Sequence, residues 1–349
     1  MSNPNPWLML RPTFDRSRGG MVYNFYNLED NEVVRINKYG PGPDPPEHPD
    51  DEAEVVGSSH GWLALKNHRN NELFLSNPMT HRHIKLPPID SLPNPEFNLD
   101  NCSRSANVSK LILSASPDDA DCRAMVAFGW SGRLAFCRPG HSRDWAPIGQ
   151  LFMEREREGK WYDYKYARSY DDFVFSSKSN VFTCLTSSNI HTRGLEDWDL
   201  TSIDSPKIDW IRRQGDEKEE NNDDNEEMKQ KQHLVYAEQT GELFIVNRLI
   251  QEGTTRRCDV YRIEKEKGGW TNIRPCSLQG IALFVGTNHS FAVSAPHIMP
   301  NSIYYADGDD VGIYDCDDET FSNCYYPDDA DQALDDTDDT PIWFTPMLT

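Results

Sequence analysis

Residues 57–61 read Gly57-Ser58-Ser59-His60-Gly61 and satisfy G-x-S-x-G, the pattern that in α/β-hydrolases sets a nucleophilic serine on a sharp strand-to-helix turn above a parallel sheet. That chemistry needs a helix directly after the serine. Here Trp62-Leu63-Ala64-Leu65 continues as an apolar strand, so the cluster reads as turn-forming glycine and serine. His81 and His83 would share one face of a strand, with His60 and His68 near in sequence. No cysteine or carboxylate stands at zinc-ligand spacing beside them, and they read as surface histidines. Asp307-Gly308-Asp309-Asp310-Val311-Gly312, running on to Asp318, faintly resembles a calcium loop. Val311 sits where an oxygen ligand is required and no helices flank the run, which reads as a solvated hairpin. Trp145, Trp198 and Trp270 could line a groove, but recurring aromatic markers of this kind more often pack between repeats, with the indole N–H bonded locally. No catalytic, cofactor-binding or metal-ligating residue is assigned, and no cofactor is expected.

The elements that carry these residues are short strands. Residues 57–89 read as strand, turn, strand, turn, strand: 58–65 runs through Gly61 and Trp62, Asn70-Asn71 turns, 73–75 returns, Asn77-Pro78-Met79-Thr80 turns again, and 83–86 ends at Pro87-Pro88. Before this unit lie strands at 6–12, 21–28 and 32–39. After it come four sets of four: 111–115, 125–130, 133–137 and 144–148; 173–176, 181–186, 196–200 and 207–211; 233–238, 242–247, 259–264 and 270–274; 281–286, 290–294, 302–305 and 311–315. An extra strand at 320–326 and a final one at 342–348 close the chain. Residues 153–161 read as a helical turn or an exposed charged loop. Almost no helical period is sustained, and Pro (23) and Gly (21) punctuate the whole length. Four-strand groups at roughly 40–50 residues are the spacing of propeller blades, which leave only short, protected edges. The expected fold is therefore all-β: a single β-propeller domain over 1–349, built of four-stranded antiparallel blades, six in number with seven as the alternative. The first group has three strands and 342–348 supplies the fourth, so N- and C-terminal strands should share one blade and lock the ring. A Pro-rich loop at 40–54, an acidic disordered insert at 214–231 and an acidic linker at 327–340 interrupt it. An all-β sandwich with a second domain explains the strands but neither the grouping nor the complementary ends.

The net charge of −22 is uneven. No Lys or Arg follows Arg274, and that segment carries −14; residues 216–227 carry −7, which leaves −1 for everything else. Such a field repels phosphate backbones and anionic lipid, so neither nucleic acid nor a membrane surface is an expected partner. No apolar run reaches the ~20 residues that span a bilayer. The eight cysteines are scattered without C-x-x-C spacing and read as buried reduced thiols of a cytoplasmic or nuclear protein. The sequons at Asn101, Asn107 and Asn288 then read as chance matches.

Several separated stretches, in order, resemble the plant F-box-associated β-propellers known as domain of unknown function 295, or KIB-type propellers. They are Gly57-Ser58-Ser59-His60-Gly61-Trp62-Leu63, Glu72-Leu73-Phe74-Leu75-Ser76-Asn77-Pro78, Ile84-Lys85-Leu86-Pro87-Pro88 and Leu195-Glu196-Asp197-Trp198-Asp199-Leu200. Ala282-Leu283-Phe284-Val285-Gly286 follows, with Asn288-His289-Ser290-Phe291, Ile303-Tyr304-Tyr305 and Pro341-Ile342-Trp343-Phe344. The resemblance implies a non-catalytic protein-interaction module, akin to the substrate-recognition part of F-box ubiquitin-ligase adaptors. In those proteins an N-terminal F-box docks on Skp1 of a cullin ligase. Residues 1–12 are too short for one, so the chain reads as an F-box-less relative, a truncated copy or an incomplete gene model; Skp1–cullin is not the expected partner, and a monomer with an unidentified protein partner is expected. A propeller enzyme with an unrecognised channel site, or a degenerate copy, are the alternatives. The loops at 90–108 and 153–170 depart most from the blade pattern and are the expected partner surface.

Overall fold

A computed structural model describes residues 5–15, 20–38, 53–67, 71–92, 107–129, 132–157, 160–187, 194–202, 206–213, 228–264, 269–272, 278–324 and 341–346. The first blade joins β1 (Trp7–Asp15), β2 (Gly20–Asn27) and β3 (Glu32–Lys38). Blade two is β4 (Ala53–Ser59), β5 (Trp62–Asn67), β6 (Leu73–Asn77) and β7 (Arg82–Lys85). Blade three is β8 (Val108–Leu113), β9 (Ala124–Phe128), β10 (Arg133–Cys137) and β11 (Ala146–Pro147). A separate hairpin, β12 (Gln150–Arg157) with β13 (Lys160–Ala167), precedes blade four: β14 (Tyr170–Ser176), β15 (Val181–Thr186), β16 (Gly194–Asp199) and β17 (Lys207–Arg213). Blade five is β18 (Lys229–Ala237), β19 (Glu242–Gln251), β20 (Thr254–Glu264) and β21 (Gly269–Asn272). Blade six holds β22 (Ala282–Gly286), β23 (Phe291–Val293), β24 (Ser302–Asp307), β25 (Asp310–Asp315) and β26 (Thr320–Ser322). The last strand, β27 (Ile342–Phe344), pairs with β1 in the register Trp7↔Phe344, Leu8↔Trp343, Met9↔Ile342, giving the order β27-β1-β2-β3. The expected sharing of one blade by the two chain ends holds, with the C-terminal strand innermost: β27 lies against β4, the inner strand of blade two, and against β22 of blade six.

Six apolar clusters, one at each junction between successive blades, show that the ring has six blades and is closed. Trp62, Leu73 and Leu75 pack on Leu111, Val126 and Ala135; Phe136 and Met125 pack on Phe173 and Phe182. Leu185 and Leu195 meet Leu234 and Ile245, and Phe244 and Val260 meet Leu283 and Tyr305. Phe284 and Tyr304 meet Leu8 and Trp343, and Met9 and Phe25 meet Leu63 and Phe74. The period of two along each strand sends alternate side chains to the two neighbours, as Leu8 and Met9 do. A strand such as β5, β6, β9 or β15 is therefore buried at every position, whereas the outermost β7 and β26 are mostly or wholly exposed.

The structure corrects several sequence expectations. Residues 58–65 are not one strand: Ser59 pairs with Trp62 across a two-residue turn, with His60 (φ 52°) and Gly61 (φ 74°) both left-handed. That is the type I′ hairpin, which twists with its strands, and histidine tolerates the first site. The blade thus begins at Ala53, inside the expected 40–54 loop. Likewise the expected 214–231 insert ends early, because Lys229–Lys231 pair with Ile250–Arg248 in the first turn of ladder between β18 and β19. Residues 153–157 and 160–161 are neither helix nor loop; they belong to the β12–β13 hairpin, eight paired positions from Gln150↔Ala167 to Arg157↔Lys160. In blade six the order is β23-β22-β24-β25-β26, with β22 parallel to β24. The chain doubles back through β23 before starting β24, so the blade is not wholly antiparallel, and the strand at 320–322 is its outer member rather than an extra. A single parallel bridge, Tyr236↔Phe291, joins blades five and six into one nine-stranded sheet. The rest of the 214–231 insert, the 327–340 linker, most of the 40–54 loop and residues 93–106 lie outside the described residues. Among the described residues, no helix is long and apolar enough to cross a membrane.

Candidate functional site

The serines of the hydrolase-like pattern are spent on closing the ring. Ser58 Oγ donates to the Trp343 carbonyl, and the Asn288 amide donates to both Ser58 Oγ (2.8 Å) and the Trp343 carbonyl (2.6 Å). Trp343 in turn gives its indole N–H to the Val285 carbonyl at 3.1 Å. Three stretches far apart in sequence, 57–62, 282–291 and 341–344, therefore meet at one buried knot where β4, β22 and β27 converge. Ser59 Oγ accepts from the Leu113 amide at 2.9 Å, tying β4 to β8. Gly57 lets that approach happen: a Cβ there would stand 2.0 Å from the Leu111 carbonyl oxygen. Gly57→Ala is expected to force blades two and three apart and cost about 1–3 kcal/mol, read as a lowered midpoint in urea. The Asn288 sequon is 1 % exposed and its amide is engaged, so the folded chain offers no acceptor there.

The same inner wall continues around the channel. Lys110 of β8 forms an ion pair with Asp172 of β14, both nearly fully buried, and the second Asp172 oxygen accepts from the Leu234 amide of β18 at 2.7 Å. His60 and His289 are half-buried, while His233 is buried outright. Burial first, then the charges of His60 and Lys110, holds His289 down to about 3; burial likewise lowers His60 and His233. A histidine held below its ordinary value stabilises the fold fully above about pH 6.5, and that stability is lost as pH falls toward the folded value. The slope is about 1.4 kcal/mol per pH unit for each such group. His289→Gln is expected to spare about 2–3 kcal/mol of the stability lost between pH 6.5 and 4.5, measured by urea unfolding at each pH. An acid limb identical to that of the parent chain would reject it.

The calcium-like run does different work from that of a solvated hairpin. Asp307 and Asp310 flank the β24–β25 turn and hold Arg248, which is 0 % exposed, from the neighbouring blade. Arg248 Nη1 reaches Asp307 at 3.1 Å and Nη2 reaches Asp310 at 2.5 Å. Thr255 gives its backbone N–H to Asp310 at 3.0 Å, Lys231 bridges to Asp307 at 2.7 Å, and the guanidinium lies 4.9 Å from the Tyr305 ring centre. His81 and His83 are exposed on blade two. Among the described residues, no group of three His, Cys, Asp or Glu is placed to hold a metal ion. Trp145 and Trp198 pack between blades, donating to the Pro87 carbonyl (3.0 Å) and to Glu196 (3.2 Å). They do not occupy equivalent places: one precedes β11, the other lies within β16. Buried Glu196 also accepts from Tyr170 (2.8 Å) and pairs with Arg168, so the Leu195–Leu200 stretch is a blade-locking element. The side chain of Trp270 lies outside the described residues.

Sequence reasoning missed a cleft of about 650 Å³ between blades four and five. It is lined by the β14–β15 turn (Ser176, Lys178, Ser179), by Tyr236 and Gly241 at the β18–β19 turn, and by Leu243 and Arg262. No motif marks it, because it is made by two hairpin turns some 60 residues apart standing side by side.

A closed ring of six blades, with its serine and aspartate candidates bonded into the ring itself, defines a β-propeller domain. The model of the KIB1-4 beta-propeller family matches residues 25–315, and the chain belongs to that family. The match starts within β2 and ends with β25, leaving out β1 and β27, the pair that closes the ring. No curated protein sequence matches the chain. Among solved structures it is similar to the β-propeller domain of Cps50 (Swd1) from Myceliophteria thermophila, at 11% identity over 75% of this chain and 72% of that one, with a TM-score of 0.34. It is also similar to Hsv2 from Kluyveromyces lactis (10% identity, 78% and 98% covered, TM-score 0.31). A third is the extracellular domain assigned to a one-component system of B. thetaiotaomicron (8% identity, TM-score 0.33). The match covers 76% of this chain and only 27% of that protein.

Proposed function

We propose that this propeller is a non-catalytic protein-recognition domain, of the substrate-recognition kind that the resemblance to F-box-associated propellers implies. The observation that carries this reading is the fate of the reactive groups. Ser58, Ser59, Lys110, Asp172, Asp307 and Asp310 all bond to neighbouring blades, while the open cleft between blades four and five combines a polar rim with an apolar floor. A surface of that kind suits a peptide or a protein loop. Buried cysteines among the described residues, Cys122, Cys137, Cys184 and Cys324 as free thiols, support a reducing cytoplasmic or nuclear setting. The test is affinity purification of the tagged chain from its own source, scoring Skp1–cullin components separately from other proteins. A stoichiometric protein partner is the expected result. Recovery of none, or stoichiometric metal in the purified protein by elemental analysis, would count decisively against the proposal.

A further inference from the structure

We infer that the edge of β12 away from β13 takes up an extended segment of a partner protein as a third strand, one in which acidic and basic residues alternate. This rests on the protein-recognition reading and names the chemistry the partner must bring. Among the described residues the β12–β13 hairpin forms a two-stranded sheet of its own, paired with no blade. Two strands alone are marginal in water, and a third adds stability they lack. The root of the hairpin is nonetheless held firmly. The Arg168 amide donates to the Gly149 carbonyl at 2.9 Å, and Glu196, 0 % exposed, pairs with Arg168 and accepts from the Tyr170 hydroxyl at 2.8 Å. A Cβ on Gly149 would stand 2.3 Å from that hydroxyl oxygen, so only glycine admits the close approach. A strand that leaves a fixed root offers its edge already ordered, which lowers the cost of binding.

Residues 154–157 of β12 read Glu-Arg-Glu-Arg. The register pairs Arg157 with Lys160, Glu156 with Trp161, Arg155 with Tyr162 and Glu154 with Asp163. None of these four consecutive charges is paired across the hairpin with its opposite, and two are paired with their own sign, which destabilises the ladder. The pleat places Glu154 and Glu156 on one face and Arg155 and Arg157 on the other. On β13 only Lys165, one diagonal from Glu154, brings an opposite charge to the same face. The complement of β12 must therefore come along its other edge. A segment that alternates acid and base there sets an acid opposite each arginine and a base opposite each glutamate. A second copy of the chain cannot supply it. Two-fold pairing of antiparallel β12 strands joins residues of one face, so glutamate falls opposite glutamate and arginine opposite arginine. Such an edge guards against self-association while accepting its complement.

The probes are two labelled peptides of identical composition, acetyl-Thr-Val-Glu-Lys-Glu-Lys-Val-Thr-amide and acetyl-Thr-Val-Glu-Glu-Lys-Lys-Val-Thr-amide, followed by fluorescence anisotropy on the full chain. The alternating peptide is expected to bind about tenfold tighter than the block peptide. Combining Arg155→Glu with Glu156→Arg keeps the charge of β12 but changes its order to Glu-Glu-Arg-Arg, and should reverse the preference. An unchanged melting temperature would show that this variant folds. Equal binding of the two peptides, no binding of either, or a preference that survives the exchange overturns the inference. If that happens while a stable partner still purifies with the chain, the protein-recognition reading stands and only the role of the β12 edge falls.

Discussion

Trp343→Ala is expected to destabilise the ring by about 3–5 kcal/mol, the usual cost of deleting a buried tryptophan. The residue is 0 % exposed and meets the Phe284 ring edge-on at 5.0 Å and Tyr304 at 6.1 Å, so its removal leaves a cavity between blades six and one. The Val285 carbonyl would also lose its donor, and an orphaned buried acceptor costs more than the net worth of the bond. Trp343→Phe separates the two effects, because it keeps most of the packing and loses only the indole N–H; a loss of about 1–2 kcal/mol is expected. Urea unfolding at neutral pH measures both. Truncation before Ile342 goes further, stripping β1 of its inner partner and exposing the edge on which the ring closes; aggregation is the expected outcome. A Trp343→Ala protein within ~1 kcal/mol of the parent would mean that β27 is not the closure.

Arg248→Ala is the second large effect, at about 3–5 kcal/mol, because it leaves the nearly buried Asp310 carboxylate without its counter-charge. Asp307 would keep Lys231, and Asp310 would keep only the neutral Thr255. The loss should change little between low and high salt, since the pair is shielded from solvent. Adding Asp310→Asn to Arg248→Ala should recover part of the stability, with a coupling of about 1–3 kcal/mol in the double-mutant cycle. Additive effects, or a loss that vanishes in high salt, would show that the clamp is an ordinary surface ion pair. The clamp also explains why an acidic hairpin tip lies beside blade five: two of its aspartates are structural, not merely solubilising.

Sequence and structure agree where the signal is local. Strand lengths, turn residues and the period of two follow from backbone sterics and from burial of alternate faces, and they are written residue by residue. That is why the blades and the pairing of the chain ends could be read in advance. Errors fell where one signal has two readings. His60-Gly61 served as a left-handed turn inside an apolar run, and the charged stretch from Met153 to Arg157 pairs as a strand although it lacks an apolar face.

By itself, then, the sequence determined the all-β class, the grouping into blades, the shared closing blade and the family stretches. What the tertiary structure alone decided is which groups remain available. Ser58, Asn288 and Trp343 are 230 residues or farther apart in two of their three contacts, so no local pattern announces that they bond one another. Asp310 looks like a cation ligand until Arg248 of the next blade fills that role. Lys178 and Tyr236 look like unremarkable surface and core residues until two turns bring them together beside Gly241 in one cleft. Ring closure converts distance in sequence into contact in space, and it is that conversion which consumes the apparent catalytic residues and leaves the cleft between blades four and five open.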